Sequence, residues 1–199
     1  DILPRMQRRA DTAASHLLAG SAFASGLAAL VLELQWGRQL ALVFGGAHAA
    51  VAAVLTAFML GLGVGSLLGG RIADRVARPA LVVAAIELGL VAAGPLLSLA
   101  LVHLPAAAAA LLPGAAGADD PVFSLARLAL ALALLALPTT LMGATFPIMV
   151  RALGSDLPRL HRGIGRIYAA NTIGGVVGVL AAGFWVLPAA GIHGSVAAA

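Results

Sequence analysis

The chain has no cysteine and no lysine, and only 10% of its 199 residues are charged. Without cysteine there is no disulfide framework, no thiolate zinc site and no cysteine nucleophile, and nothing reports the redox compartment. So little charge beside 61% hydrophobic residues and a mean hydropathy of +1.03 excludes a water-soluble globular domain. A spanning helix takes about 20 mostly apolar residues, so five or six of them with short joints use up the chain. No soluble catalytic domain fits beside them. The chain opens on Asp1 and stops inside an apolar stretch at 196–199, and the expectation is of a fragment.

With lysine absent, the net charge of +4 comes from 12 arginines against 8 acids. A basic chain meets nucleic acid when its arginines gather on a polar face. Here they lie between apolar runs, as loops against anionic headgroups do, so the lipid bilayer is the expected partner and nucleic acid is not.

A polar, basic segment, 1–16, precedes an apolar run at 17–36 that is too long for a signal-peptide core. Further runs fall at 48–70, 80–102, 122–150 and 167–188, and a partial one at 192–199. Residues 17–199 therefore read as one transmembrane helical domain. Arg5, Arg8 and Arg9 precede the first run, Arg71, Arg75 and Arg78 join the second to the third, and Arg151, Arg159, Arg162 and Arg166 join the fourth to the fifth. Ten arginines thus share one side, and the positive-inside rule makes that side, with the N-terminus, cytoplasmic. The expected location is a bacterial inner membrane. The alanine-rich stretch 103–121, bracketed by Pro105 and Pro113, predicts interfacial turns. Pro138 and Pro147 predict a kinked fourth helix, with Thr139, Thr140 and Thr145 placed to satisfy the freed carbonyls. Trp36 and Trp185 read as interfacial anchors.

Gly61, Gly65 and Gly69 recur every four residues, as do Ala170, Gly174, Gly178 and Ala182. That spacing puts small residues on one helix face and lets backbones approach closely, as helix pairs in lipid require. The competing reading of GLGVGSLLGG as a nucleotide-binding loop lacks the strand, the soluble βαβ unit and the acid about 20 residues on. The joint at 70–78, GRIADRVAR, resembles the cytoplasmic loop signature of the major facilitator superfamily, G-x-L-x-D-R-x-G-R, with Ala77 at its second glycine. Gly70, Asp74, Arg75 and Arg78 carry the match. Asp74 can accept from helix N-termini, and the arginines can pair with acids or phosphates. Equally, the arginines can serve orientation alone.

Four ordered blocks extend the resemblance: SGLAALVLELQWGRQLALVFG at 25–45, FMLGLGVGSLLGGRIADR at 58–75, LPTTLMGATFPIMVR at 137–151 and GRIYAANTIGGVVGVLAAGFWVLPAAGI at 165–192. Together they resemble the membrane-embedded spermidine synthase-like proteins, in which a facilitator-like helical region precedes a soluble aminopropyltransferase domain. The resemblance implies an all-α polytopic membrane protein, a major-facilitator-like six-helix half bundle with its sixth helix truncated. It further implies that the intact protein uses decarboxylated S-adenosylmethionine and a diamine in a domain beyond these residues. No catalytic residue and no cofactor site carries over to this chain.

Ionisable groups at depth are costly and face a partner or a cavity. Glu33 and Arg127 approach from the outer side, so a Glu33–Arg127 or Glu33–Arg38 ion pair competes with separate snorkelling to the interface. Glu87 lies roughly 11 Å into the third helix at 1.5 Å per residue. With Asn171, Thr172 and Tyr168 at similar depth it predicts a polar pocket for a proton, a cation or a polyamine, the alternative being an interhelical hydrogen bond. The histidines form no helical pair, and no metal site is expected. Two further readings stand beside the anchored transferase. One is a half-size secondary transporter acting as a homodimer; the other is a non-catalytic structural subunit of a larger membrane complex.

Overall fold

In a computed structural model the described residues, 2–44, 47–111, 121–154 and 157–186, are helical apart from the joints at 76–78 and 153–154. Side chains are described over 14–42, 48, 50–104, 125–126, 128–154 and 160–185. The elements are α1 (Ile2–Phe44), α2 (Ala47–Arg75), α3 (Pro79–Leu111), α4 (Pro121–Ala152) and α5 (Leu157–Ala181), the last continued by a π-helical turn at Ala182–Val186. Each contains a stretch long and apolar enough to cross a membrane: Ala14–Leu42, Ala50–Arg75, Pro79–Leu104, Leu128–Ala152 and Leu160–Trp185. Apolar runs of this length take up helix because lipid offers no partner for a bare peptide group. Five such helices make this an integral membrane protein. Exposed leucines and valines, among them Leu88, Val91 and Leu96, cover its outer surface.

Two joints show local rules at work. The Arg78 carbonyl accepts from the Leu81 and Val82 amides at 3.1 and 3.4 Å. It caps α3, whose first residue, Pro79, stands where a missing N–H costs nothing. At the end of α4 the chain tightens, Leu153 N to Val150 O at 3.1 Å and Gly154 N to Arg151 O at 3.3 Å. Gly154 then takes φ +88°, a left-handed conformation that favours glycine and ends the helix.

Several helices outrun their apolar cores. The predicted polar segment 1–16 belongs, from Ile2 onward, to the same helix as the first span. Its arginine, glutamine and alanine are good helix formers that hydropathy does not register. For the same reason the alanine run after Pro105, predicted as interfacial turns, continues α3 to Leu111, and α5 starts at Leu157, ten residues before its predicted span. The predicted partial sixth span, 192–199, lies outside the described residues.

Packing follows small residues. A Cβ at Gly61 would collide with Thr139, at Gly65 with the Thr140 backbone, and at Gly69 would stand 2.6 Å from Ala144 O. The partner numbers rise together, so α2 and α4 run parallel with their backbones in contact. The same holds for α1 and α5: Gly174 abuts Phe23, Gly178 abuts Leu27, and Gly26 abuts Asn171. A third parallel pairing joins α1 to α3 at a constant offset, Leu32 against Gly94 and Trp36 against Ser98. Parallel α1, α3 and α5 with parallel α2 and α4 make an up-and-down bundle. The start of α1, the α2–α3 joint and the α4–α5 joint therefore share one end, and ten of the 12 arginines are there. Two buried clusters follow, one near that end around Ala22, Ala73, Ile148 and Ile167, the other toward the opposite end around Trp36, Phe58, Leu101 and Leu135.

Candidate functional site

The bundle is two tight pairs, α1 with α5 and α2 with α4, and a cavity opens where they meet. It holds about 260 Å³ and is lined by Ala22 and Ser25 of α1, Leu62 and Ser66 of α2, Met142, Gly143, Thr145, Phe146 and Met149 of α4, and Tyr168 and Asn171 of α5. The same glycine contacts that pull each pair together leave this space between pairs, because close approach within a pair fixes the helix axes on either side. Counting from the arginine end, Ser66, Tyr168 and Ser25 lie roughly 12 to 17 Å along their spans, within the bilayer.

The polar side chains of the cavity are uncharged. Asn171 Nδ2 donates to the Ala22 carbonyl at 3.1 Å, which fixes the amide and leaves its Oδ1 as an acceptor. Thr145 Oγ1 donates to Leu141 O within α4 at 3.0 Å. Tyr168 is largely exposed and meets Phe146 edge to face at 6.3 Å, bordering the open side. Behind Ser25 stands an acid: the Ser25 hydroxyl lies within interaction range of the Glu87 carboxyl group, while Glu87 Oε1 is buried with no hydrogen-bond partner. Ser25 and Glu87 repeat the offset of 62 residues that relates Trp36 to Ser98, so the acid belongs to the α1–α3 seam and reaches the cavity through the serine.

Of the predicted polar pocket, Asn171 and Tyr168 thus line one cavity and Glu87 stands one hydroxyl behind it. Thr172 does not line it; it is exposed, and its hydroxyl donates to the Tyr168 carbonyl at 2.9 Å. Ser25 is the residue that sequence reasoning missed. Within the small-residue run SAFASGLAA it is indistinguishable from a packing residue.

Further polar groups are buried on α1 toward the other end. Trp36, predicted as an interfacial anchor, is instead fully buried, and its Nε1 donates to Ser98 Oγ at 3.0 Å. An indole needs one partner and the seam supplies it. Trp185 is exposed. Gln35 and Gln39 are buried to 3% and 1% exposure, and both amides lack partners. The threonines near the α4 prolines bond elsewhere than predicted. Pro138 and Pro147 free the carbonyls of Leu134 and Gly143, whereas Thr139 and Thr145 donate to Leu135 and Leu141.

Glu33 and Arg38 line a second, almost wholly apolar groove of about 300 Å³ between α1, α2 and α5, and no ion pair joins these two residues. The side chain of Arg127 lies outside the described residues. In the α2–α3 joint, Asp74, Arg75 and Arg78 are exposed while Gly70 is half-buried. At the same end Arg166 ties α5 to α1, its Nη1 donating to Ser15 Oγ at 3.2 Å and its Nη2 3.1 Å from His16 Nδ1. Among the described residues no group of three or more potential metal ligands comes together.

Comparison with family models, with curated proteins and with solved structures finds no match for this chain.

Proposed function

We propose that this chain is the membrane region of a spermidine synthase-like protein, a facilitator-like half bundle that anchors an aminopropyltransferase domain and handles its polyamine substrate or product. The observation that carries the reading is where the four resembling blocks fall. Blocks 25–45 and 165–192 contribute Gly26, Leu27, Asn171, Gly174 and Gly178 of the α1–α5 pair, and blocks 58–75 and 137–151 the facing residues of the α2–α4 pair. Residues that resemble the family are thus the ones that build the bundle. The gathering of ten arginines at one end supports a cytoplasmic N-terminus in a bacterial inner membrane. The cavity, with an acid behind Ser25, supplies what an amine needs in a low-dielectric setting.

Two measurements test it. The intact mass of the polypeptide from its native membrane is expected to exceed 19.7 kDa by tens of kilodaltons, and the purified protein is expected to transfer an aminopropyl group from decarboxylated S-adenosylmethionine. A mass only a few kilodaltons higher leaves no room for the transferase and overturns the anchoring role. One observation favours a second reading, a half-size transporter acting as a homodimer: the cavity lies between two helix pairs and is open on one side, as a half-site facing a second bundle is. Amine flux in proteoliposomes without any transferase activity is the result that selects it.

A further inference from the structure

Among the described residues Glu87 has no counter-charge. Between residues 79 and 102 of α3 no other side chain is ionisable, and the neighbouring helices are equally bare: 17–32 of α1, 52–70 of α2 and 128–150 of α4 carry no ionisable residue, and 167–185 of α5 carry only Tyr168. Glu33, the other acid within a span, is eight residues further along α1 from Ser25, about 12 Å at 1.5 Å per residue. A lone carboxylate at this depth costs at least a few kcal/mol. It is stable there when one positive charge accompanies it, and among the described residues none does.

The surroundings decide which charges can serve. Ser25 touches both the acid and the cavity. With Glu87 ionised, the serine hydroxyl donates to the carboxylate and turns its lone pairs to the cavity. With Glu87 protonated, the carboxylic O–H donates to Ser25 Oγ and the serine hydrogen is free to point into the cavity. The acceptors around that space, Ser25 Oγ, Ser66 Oγ and Asn171 Oδ1, match in number the three hydrogens of a primary ammonium. Leu62, Met142 and Met149 of the same wall suit an apolar stem.

We propose that the cavity is an exchange site at which a primary ammonium and a proton compete for Glu87, the proton leaving by way of the Ser25 hydroxyl as the ammonium is bound. The step balances as one protonated carboxyl group plus one ammonium ion giving one carboxylate–ammonium pair plus one proton, which passes to water at the open side beside Tyr168. The inference rests on the reading of the cavity as an amine site and adds the coupling. Each ammonium bound at the site displaces one proton, and the site stays neutral in both states.

The test uses the full chain in lipid nanodiscs with n-butylammonium as probe, titrated calorimetrically in two buffers of different ionisation enthalpy so that protons released are counted directly. The expected result is about one proton released per ion bound and an affinity that rises about tenfold per pH unit while the acid is protonated. Glu87→Gln is expected to weaken binding at least tenfold and to release no proton. Asn171→Ala is expected to weaken binding while keeping the one-to-one proton count. Binding to the wild-type chain without proton release overturns the exchange and leaves the amine site standing. Absence of binding overturns both. The count on the unaltered chain decides even where a variant fails to fold.

Discussion

The α2–α4 and α1–α3 interfaces hold helices together in lipid by opposite means. Along α2–α4 the contact is glycine against the Thr139 side chain at Gly61 and against backbone at Gly65 and Gly69, without a polar side chain hydrogen-bonding across the helices. Along α1–α3 it is a polar column, Ser25 to Glu87 and Trp36 to Ser98, with Gln35 and Gln39 buried on α1 nearby and unsatisfied. Association in a membrane draws on close packing and on hydrogen bonds, since lipid is as apolar as leucine. One seam uses the first and is fixed. The other uses the second, incompletely, and retains groups that can change partner.

Substitution at the glycine seam has the largest expected effect. Gly65→Leu drives a side chain into the Thr140 backbone, which cannot retreat as a flexible side chain would, and is expected to cost on the order of 3 kcal/mol or more. Gly63→Leu, with nothing within 4 Å, is the control. Thermal unfolding in detergent should separate the two, and equal midpoints would refute the tight seam. Next comes a gain. Gln35→Met with Gln39→Met removes two buried amides that lack partners, and is expected to stabilise by about 1–3 kcal/mol. A loss of stability would show that the amides are in fact satisfied, for instance by water. Trp36→Phe deletes the bond to Ser98 and is expected to cost about 1 kcal/mol; a double-mutant cycle with Ser98→Ala should return a coupling near 0.6 kcal/mol. The smallest effect belongs to the exposed tie between α5 and α1. Arg166→Gln is expected to shift stability by less than about 0.5 kcal/mol, and a larger shift would promote that contact from decoration to latch.

The glycine seams were legible in sequence because their signal is local. A fourfold repeat names a face, and in lipid a face of small residues finds a backbone. Which helix it meets was not legible, since that depends on the arrangement of all five. The polar column was hidden for a related reason: its members are 62 residues apart, and no periodicity within α1 or α3 announces the offset. Gln35 and Gln39 stand near the end of an apolar run, where polar residues are expected at the headgroups, and only their burial distinguishes them. Asn171 and Glu87 were legible as polar residues at shared depth. Ser25, which lines the cavity with Asn171 in front of Glu87, was not, because serine is small enough to pass for packing. Helix ends beyond the apolar cores were missed because hydropathy measures affinity for lipid and carries no information on helix propensity.

The length of α1 has a mechanical consequence. Its 43 residues extend about 65 Å at 1.5 Å per residue, roughly twice the hydrocarbon thickness of a bilayer. It therefore acts as a post set in the bundle with its basic end standing clear of the hydrocarbon. Tilting at the α1–α5 seam would swing that end as a lever, with the larger displacement at the tip. Residues added to or removed from the helix outside the membrane would not only change its height; each would turn whatever lies beyond by about 100° around the axis. Spacing along this post is thus also direction.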